Sequence, residues 1–479
     1  MARLANLPSM RSTTQRARNF YTKCNAMPLY SHCMDVMEVA RKTRILEGQV
    51  ITDERQSWKR RMANFVVGAT ILTHVIDNTK VMQNGCALPK GLGSDEVMEE
   101  NRNFCDMTAL ERRSAPLTDF VPILNNGHAP LALLVKLADY AVTHNKADYL
   151  EGLVGAPSYP IFRTYRSRGE AYRSYRTDAK AGELIYAPVA ELFGYPGIAG
   201  TILKHSYAVT HPDVHKHVMK ILGNEVIRAR LGVTQKIAKD LKRILKTAFA
   251  SYGFDVGVEM RPVKSEGKLM RKTHRLIRED FEANLNGSRM TKKESRRSLE
   301  KFMKRTVGNF DGERIHDWVA LRIIVKKYNK RDINSMGSQD RERIIGIFGE
   351  SDPEGEVLDS EKSFPLAVKI VNDALSTYAL ATRMDFGDVR PQKKNKKTGY
   401  KAYHWDLGSQ GPAFATNISL PFEVQLKTQE WHEVAEHGKA AHYYYVGGEP
   451  EFIDTIAAAY KDIIYRNLNG NKRQMPSNS

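Results

Sequence analysis

Two blocks of this chain set a carboxylate inside a β-branched, apolar run: Ile315-His316-Asp317-Trp318-Val319-Ala320-Leu321-Arg322-Ile323-Ile324-Val325 and Phe422-Glu423-Val424-Gln425-Leu426-Lys427-Thr428. In the second block, period-two alternation puts Phe422, Val424 and Leu426 on one strand face and Glu423 with Gln425 on the other. That polar pair either lines a site or marks the solvated side of an amphipathic strand. Asp317 starts the other strand, where a carboxylate can also close a turn. Two hard carboxylate oxygens on adjacent strands anchor Mg²⁺ well when substrate phosphates complete the octahedron. Magnesium is therefore the expected cofactor, with Asp317 and Glu423 as its ligands.

Cations and an aromatic stand nearby in sequence. Lys393, Lys394, Lys396 and Lys397 form a basic loop ahead of Thr398-Gly399-Tyr400. Glycine permits close backbone approach, and an exposed Tyr400 can stack on a base for about 1–3 kcal/mol. Arg261, Lys264, Lys268, Arg271, Lys272 and Arg275 add positive charge. On a helix, Lys264, Lys268 and Lys272 would share one face, where like charges repel and a bound polyphosphate would relieve them. His432-Glu433-Val434-Ala435-Glu436-His437 imitates a zinc-protease motif, but its histidines are five residues apart, about 140° around a helix, and cannot clasp one metal. His432 and Glu436 do share a face and could line a site.

The elements that hold these residues follow from the wider pattern. At 479 residues the chain is long enough for two or three domains. A net charge of +18 favours polyanionic partners such as nucleotides, RNA or an acidic surface, or else gives a solvated basic surface. Four cysteines (Cys24, Cys33, Cys86, Cys105) form no Cys-x-x-Cys pair and read as reduced thiols. The best apolar stretches are short and carry His74 or Lys136, so no membrane span is expected and the cytoplasm is the expected compartment.

Residues 30–150 show helical apolar spacing, 158–176 read as a connector, and a second helical stretch runs from Tyr186 to about Leu222. After a helix near 235–252, strands are expected near 254–260, 316–326, 383–390, 400–407 and 420–427, with helices near 365–382 and 430–442. The result is an α+β chain in four parts. These are a flexible basic N-terminus (1–25), a helical domain (26–225), a mixed α/β domain (235–447) and a C-terminal helix and tail (448–479).

With these residues in view, the chain resembles the RelA/SpoT family of alarmone synthetases and hydrolases in its long form. The likeness is carried by the Phe422–Thr428 block followed by Trp431-His432, Ala435-Glu436, Gly438 and Ala440-Ala441-His442, by His316–Arg322, and by Gly399-Tyr400-Lys401-Ala402-Tyr403-His404. It implies a nucleotidyltransferase-like synthetase domain that moves pyrophosphate from ATP to the 3′-hydroxyl of GDP or GTP and releases AMP. Asp317 and Glu423 would hold Mg²⁺, with Glu423 helping to deprotonate the attacking hydroxyl. Gln425 and His432 would line the cleft, and Tyr400 would stack on the acceptor guanine. Lys264 and Lys272 would grip phosphates and Arg261 would lie near the ATP base. Arg322, Lys396, Lys397 and Lys427 complete the expected substrate contacts. Thr398, Lys401 and Ala402 depart from the family's Asn, Gln and Ser around that tyrosine, Lys427 stands for an Arg, and Lys268 for a Ser.

The N-terminal half resembles the family's helical His-Asp hydrolase domain at His32, Val135–Asp139 and Tyr186–Ala190. Its central signature is altered: Thr73-His74 stands for His-Asp and Asp77-Asn78 for Glu-Asp, while Thr143 replaces an Asn. Lost imidazole and carboxylate ligands are not replaced by a hydroxyl, so His32, His74, Asp77 and Asp139 are expected to be remnants of a dead Mn²⁺ site. The chain ends soon after His442, which implies that it lacks the long C-terminal regulatory region. ATP and GDP or GTP are the expected partners. Two alternatives are pyrophosphorylation of the tRNA 3′ end, as in toxin-like relatives, and a non-catalytic nucleotide-binding regulator.

Overall fold

The computed structural model describes isolated helical residues at 15, 18, 133, 136–138, 140 and 141. It then describes residues 176–193, 195–261, 263–285, 292–315, 317–329, 357–358, 364–382, 386, 391–395, 400–407 and 419–437. The four cysteines, the segment 448–479 and nearly all of the 1–25 tail, the 30–150 helices and the 158–176 connector lie outside the described residues. So do His32, His74, Asp77, Asp139, His316, Lys396 and Lys397. The chain divides into two compact units, Met1–His215 with Ser265–Arg271 and Tyr443–Ser479, and Lys216–Lys264 with Lys272–His442.

In the first unit a π-turn, Gly182–Tyr186, leads into α1 (Ala187–Leu192) and α2 (Pro196–Thr210). Prolines in the first turns of α1 and α2 cost no hydrogen bond there, because those N–H groups lack helical partners. Tyr186, Val189, Ile202, Leu203 and Tyr207 are buried. A Cβ on Gly267 would stand 2.2 Å from the Gly200 carbonyl oxygen, so only glycine allows this approach to α2. Glu191, nearly buried, receives Lys268 at 3.0 Å and Arg271 at 3.1 Å. Burial, then the charge of Glu183, pushes the Tyr207 hydroxyl well above the usual tyrosine range.

α3 (Pro212–Gly223) precedes α4 (Glu225–Ser251), whose start is capped by Asn224 accepting from the Val226 N–H at 2.9 Å. The break expected between 225 and 235 is therefore helix. The charged register of α4 hides its apolar stripe of Ile237, Leu241, Leu245 and Phe249. Gly253, at φ 76°, turns the chain out of α4 into β1 (Phe254–Arg261). Next come α5 (Glu266–Asn284), α6 (Lys292–Thr306), β2 (Val319–Asn329), β3 (Val357–Leu358) and α7 (Phe364–Thr382). β4 (Gln392–Asn395), β5 (Lys401–Leu407), β6 (Phe422–Thr428) and α8 (Gln429–His437) follow.

The strands form one mixed sheet ordered β1-β2-β6-β5-β4, with β3 paired to β2. β6 runs parallel to β2 and antiparallel to β5. Val258, Leu321, Ile323, Trp405, Phe422, Val424 and Leu426 face a core shared with Leu241, Leu245 and Phe249 of α4 and Ile370, Val371 and Leu375 of α7. Helices thus cover one face of the sheet, and the residues of opposite parity point to the other. The mixed α/β expectation holds for this unit.

Of the expected 383–390 strand only Phe386 lies among the described residues; it is not in a strand, and its ring stacks on Tyr378 and meets Phe422 edge-on. β4 is a strand within the stretch read as a loop. It ends the sheet order, and its sequence, Gln-Lys-Lys-Asn, has no apolar alternation.

Candidate active site

Backbone pairing places the polar face of the sheet in two rows. Arg261, Ala320, Glu423 and Asp406 line up across β1, β2, β6 and β5, and Glu259, Arg322, Gln425 and His404 form the next row. β6 is central, and all seven of its residues are buried. Glu423 is 7% exposed and Gln425 6%, so a solvated amphipathic strand is not what carries them.

The chain leading into β6 is pinned to α4. The Leu420 N–H donates to Thr234 Oγ1 at 2.8 Å, and Arg230 Nη2 donates to the Ser419 carbonyl at 2.9 Å. At the far end of β6, the Trp431 N–H donates to Thr428 Oγ1 at 3.0 Å and starts α8. Such ties hold the register that sets Glu423 opposite Ala320.

Asp317 lies in a turn two residues before β2 rather than on the strand. Its neighbour Trp318 is buried and donates its indole N–H to the Gly312 carbonyl at 2.9 Å, which anchors the turn. Lys264 Nζ donates to the Asp317 carboxylate and also to its carbonyl oxygen at 3.3 Å. Lys272 Nζ stands 3.8 Å from Asp317 Oδ1. Burial pushes the Asp317 carboxyl up, but the charges of Lys264 and Lys272 outweigh it and hold the group below the usual carboxylate range. The Glu423 charge is also felt at Asp317 and opposes that depression, so the two carboxylates interact. Burial, with the nearby charges of Lys272 and Arg261, holds the Lys264 ammonium below the ordinary lysine range against the pull of Asp317.

The three-lysine face needs correction. Lys264 precedes α5, which begins at Glu266, and Lys268 is engaged by Glu191. Of the three, Lys264 and Lys272 converge on Asp317.

Around Glu423 the polar groups form a continuous line. His404 Nδ1 bonds Glu423 Oε1, and Gln425 Nε2 donates to Glu423 Oε2. The Tyr400 hydroxyl lies 2.9 Å from His404 Nε2. An ionised carboxylate only accepts. Beside an ionised Glu423, a neutral imidazole is assigned its proton on Nδ1, so that Nε2 accepts the Tyr400 O–H. Lys427, buried, sets its ammonium 4.6 Å from the Tyr400 ring centroid. Its contact in the structure is thus with the aromatic ring expected to take the acceptor. Arg261 closes β1, Arg322 is buried between Glu259 and Gln425 in register, and half-buried His432 sits on α8.

His404 was missed as a site residue. Only the pairing of β5 with β6 sets it opposite Gln425, and sequence spacing does not reveal strand order.

The donor set fits magnesium. Asp317 and Glu423 offer hard oxygens, Asp317 Oδ1 is buried without a hydrogen-bond donor, and two ammoniums already gather at that carboxylate. A carboxylate such as that of Glu423 offers about four lone-pair sites.

Residues 289–449 match the family model described as "Region found in RelA / SpoT proteins". The match spans Asp317, Tyr400, His404, Glu423, Gln425, Lys427 and His432 and leaves Arg261, Lys264 and Lys272 outside it. No curated protein matches the chain.

Proposed function

From a chain that belongs to the RelA/SpoT family through residues 289–449, we propose a pyrophosphokinase acting on ATP and a guanosine nucleotide. The 3′-oxygen of GDP or GTP attacks the β-phosphorus of ATP, the bond from that phosphorus to the α-phosphate oxygen breaks, and AMP leaves. Glu423 accepts the hydroxyl proton; such general-base help is worth about 10²–10⁴-fold.

The observation that carries this reading is the convergence of Lys264 and Lys272 on Asp317, with Glu423 interacting from the neighbouring parallel strand. Asp317 and Glu423 would hold Mg²⁺, which neutralises developing phosphate charge when bound. Lys264 and Lys272 then turn from the carboxylate to substrate phosphates, with Arg261 beside the ATP base. Tyr400 takes the guanine, and its Lys427 contact fixes the ring. Gln425 orients Glu423, while Arg322 and His432 complete the polar side of the sheet. Catalysis here is mainly positioning and charge neutralisation, as in phosphoryl transfer generally.

The reading is tested by incubating the protein with Mg²⁺ and γ-labelled ATP and offering GDP, GTP or deacylated tRNA in turn. Label on the guanosine nucleotide is the expected result. Label on tRNA changes the acceptor while keeping the chemistry, and nucleotide binding without transfer leaves a regulator. The helical half is proposed to add no hydrolysis. Mn²⁺-dependent removal of a 3′-pyrophosphate by the purified protein would sink that part.

A further inference from the structure

The proposed reaction uses the Tyr400 ring and the Glu423 carboxylate but gives no task to the imidazole between them. His404 is 4% exposed, and its two ring nitrogens engage those two residues, Nδ1 on Glu423 and Nε2 on the Tyr400 hydroxyl. We infer that His404 is a positioning residue that couples occupancy of the acceptor platform at Tyr400 to the orientation of the base at Glu423. The inference rests on the proposed roles of Tyr400 and Glu423.

The terminal torsion of a glutamate is broad and weakly preferred. An unclamped Glu423 would spread its oxygens over many directions, few of them toward a bound hydroxyl. Here one oxygen is held by His404 and the other by Gln425, which fixes the carboxylate plane. Gln425 comes from β6 itself and His404 from β5, so the clamp also requires the β5–β6 register.

Tyr400 is held in turn. Its hydroxyl donates to His404, the two rings meet at 5.9 Å and 61°, and the Lys427 ammonium lies against the tyrosine. A planar base settling on Tyr400 therefore presses on a ring whose hydroxyl is tied, through one imidazole, to the group that takes the proton. Hydrogen bonds in such a chain polarise one another in a low-dielectric interior, so tightening one end strengthens the other. A satisfied core histidine would need only some partner. This one joins the two residues that acceptor binding and proton transfer require.

Tyr400→Phe removes one hydroxyl and leaves the ring and its lysine contact. In the full chain with Mg²⁺, ATP and the guanosine acceptor, it is expected to keep the acceptor KM within about twofold. Its kcat should fall about tenfold to a hundredfold, the range seen when an outer partner of a functional ligand is lost. His404→Asn places an amide nitrogen near the Nδ1 position and should behave like Tyr400→Phe. His404→Gln reaches toward Tyr400 but releases Glu423 and should lose more of kcat. Tyr400→Phe with His404→Asn should be no slower than either alone, because both cut the same bond.

A Tyr400→Phe protein with unchanged kcat overturns the inference, as does a double variant whose losses multiply. If the His404 variants fail to fold, as melting curves will show, Tyr400→Phe decides alone. A parent protein that transfers pyrophosphate to no acceptor sinks the reaction itself and the inference with it. That outcome is distinct from an active parent that tolerates Tyr400→Phe.

Discussion

Glu423 accepts hydrogen bonds on both oxygens while buried in the centre of a sheet. Replacing it with Gln keeps the shape and one acceptor oxygen but removes the charge. Single-turnover transfer by Glu423→Gln is expected to fall about 10²–10⁴-fold with the melting curve little changed. A variant as fast as the parent would remove Glu423 from the chemistry. Lys427→Met withdraws the ammonium from the Tyr400 ring, a contact worth about 0.5–2 kcal/mol where desolvated. The effect should appear as a raised acceptor KM with ATP affinity preserved. Glu423, Gln425 and Asp317 were legible in sequence because polar groups stand out in β-branched runs. His404 was not, because its role depends on which strand lies beside β5.

At the scale of elements, α5 is tied to the turn that presents Asp317. Arg314, in the 3₁₀ turn Gly312–Arg314, forks onto Asp280 of α5 at 2.7 and 2.8 Å. The Arg314 hydrogen bonds hold the Asp280 carboxyl below its usual range. A depressed carboxylate stabilises the fold above its unfolded pKa of about 3.9 and loses that contribution as pH falls through the lower folded value. The pair is exposed, so Asp280→Asn should cost only about 0.2–1 kcal/mol near neutral pH. Denaturant titrations of the two proteins should draw together as the pH falls from about 3.9 through the lower folded value. Gly253→Ala tests a different constraint. A side chain at φ 76° costs about 1–2 kcal/mol, and the C-terminal turn of α4 should show it as a lowered melting temperature. The apolar stripes of α7 and the alternation of β5 and β6 were readable because burial imposes their periods. β4 was not, since the sequence Gln-Lys-Lys-Asn carries no apolar period.

For the whole molecule, the lysines at Asp317 bear on metal dependence. Lys264 and Lys272 already balance that carboxylate, so chelation should leave the melting curve unchanged. Added Mg²⁺ with ATP should raise it by mass action. Unfolding on chelation would show that the metal is structural and would contradict the placement of those ammoniums. The division that assigns Ser265–Arg271 to one unit and Lys272 onward to the other had no signal in composition, because α5 is one amphipathic helix throughout. Among the described residues no helix is long and apolar enough to cross a membrane.

The order β1-β2-β6-β5-β4 also bears on the timing of assembly. β6, the last strand described, is inserted between β2 and β5 and makes the parallel pairing to β2 that sets Glu423 near Asp317. Contacts between segments so distant in sequence are slow to form. During synthesis the first strands emerge with the β2 edge open, a template for wrong pairing until β6 arrives. The nascent chain would therefore have no activity before residue 428 has emerged, and its sheet would close and its two carboxylates meet in the same late event.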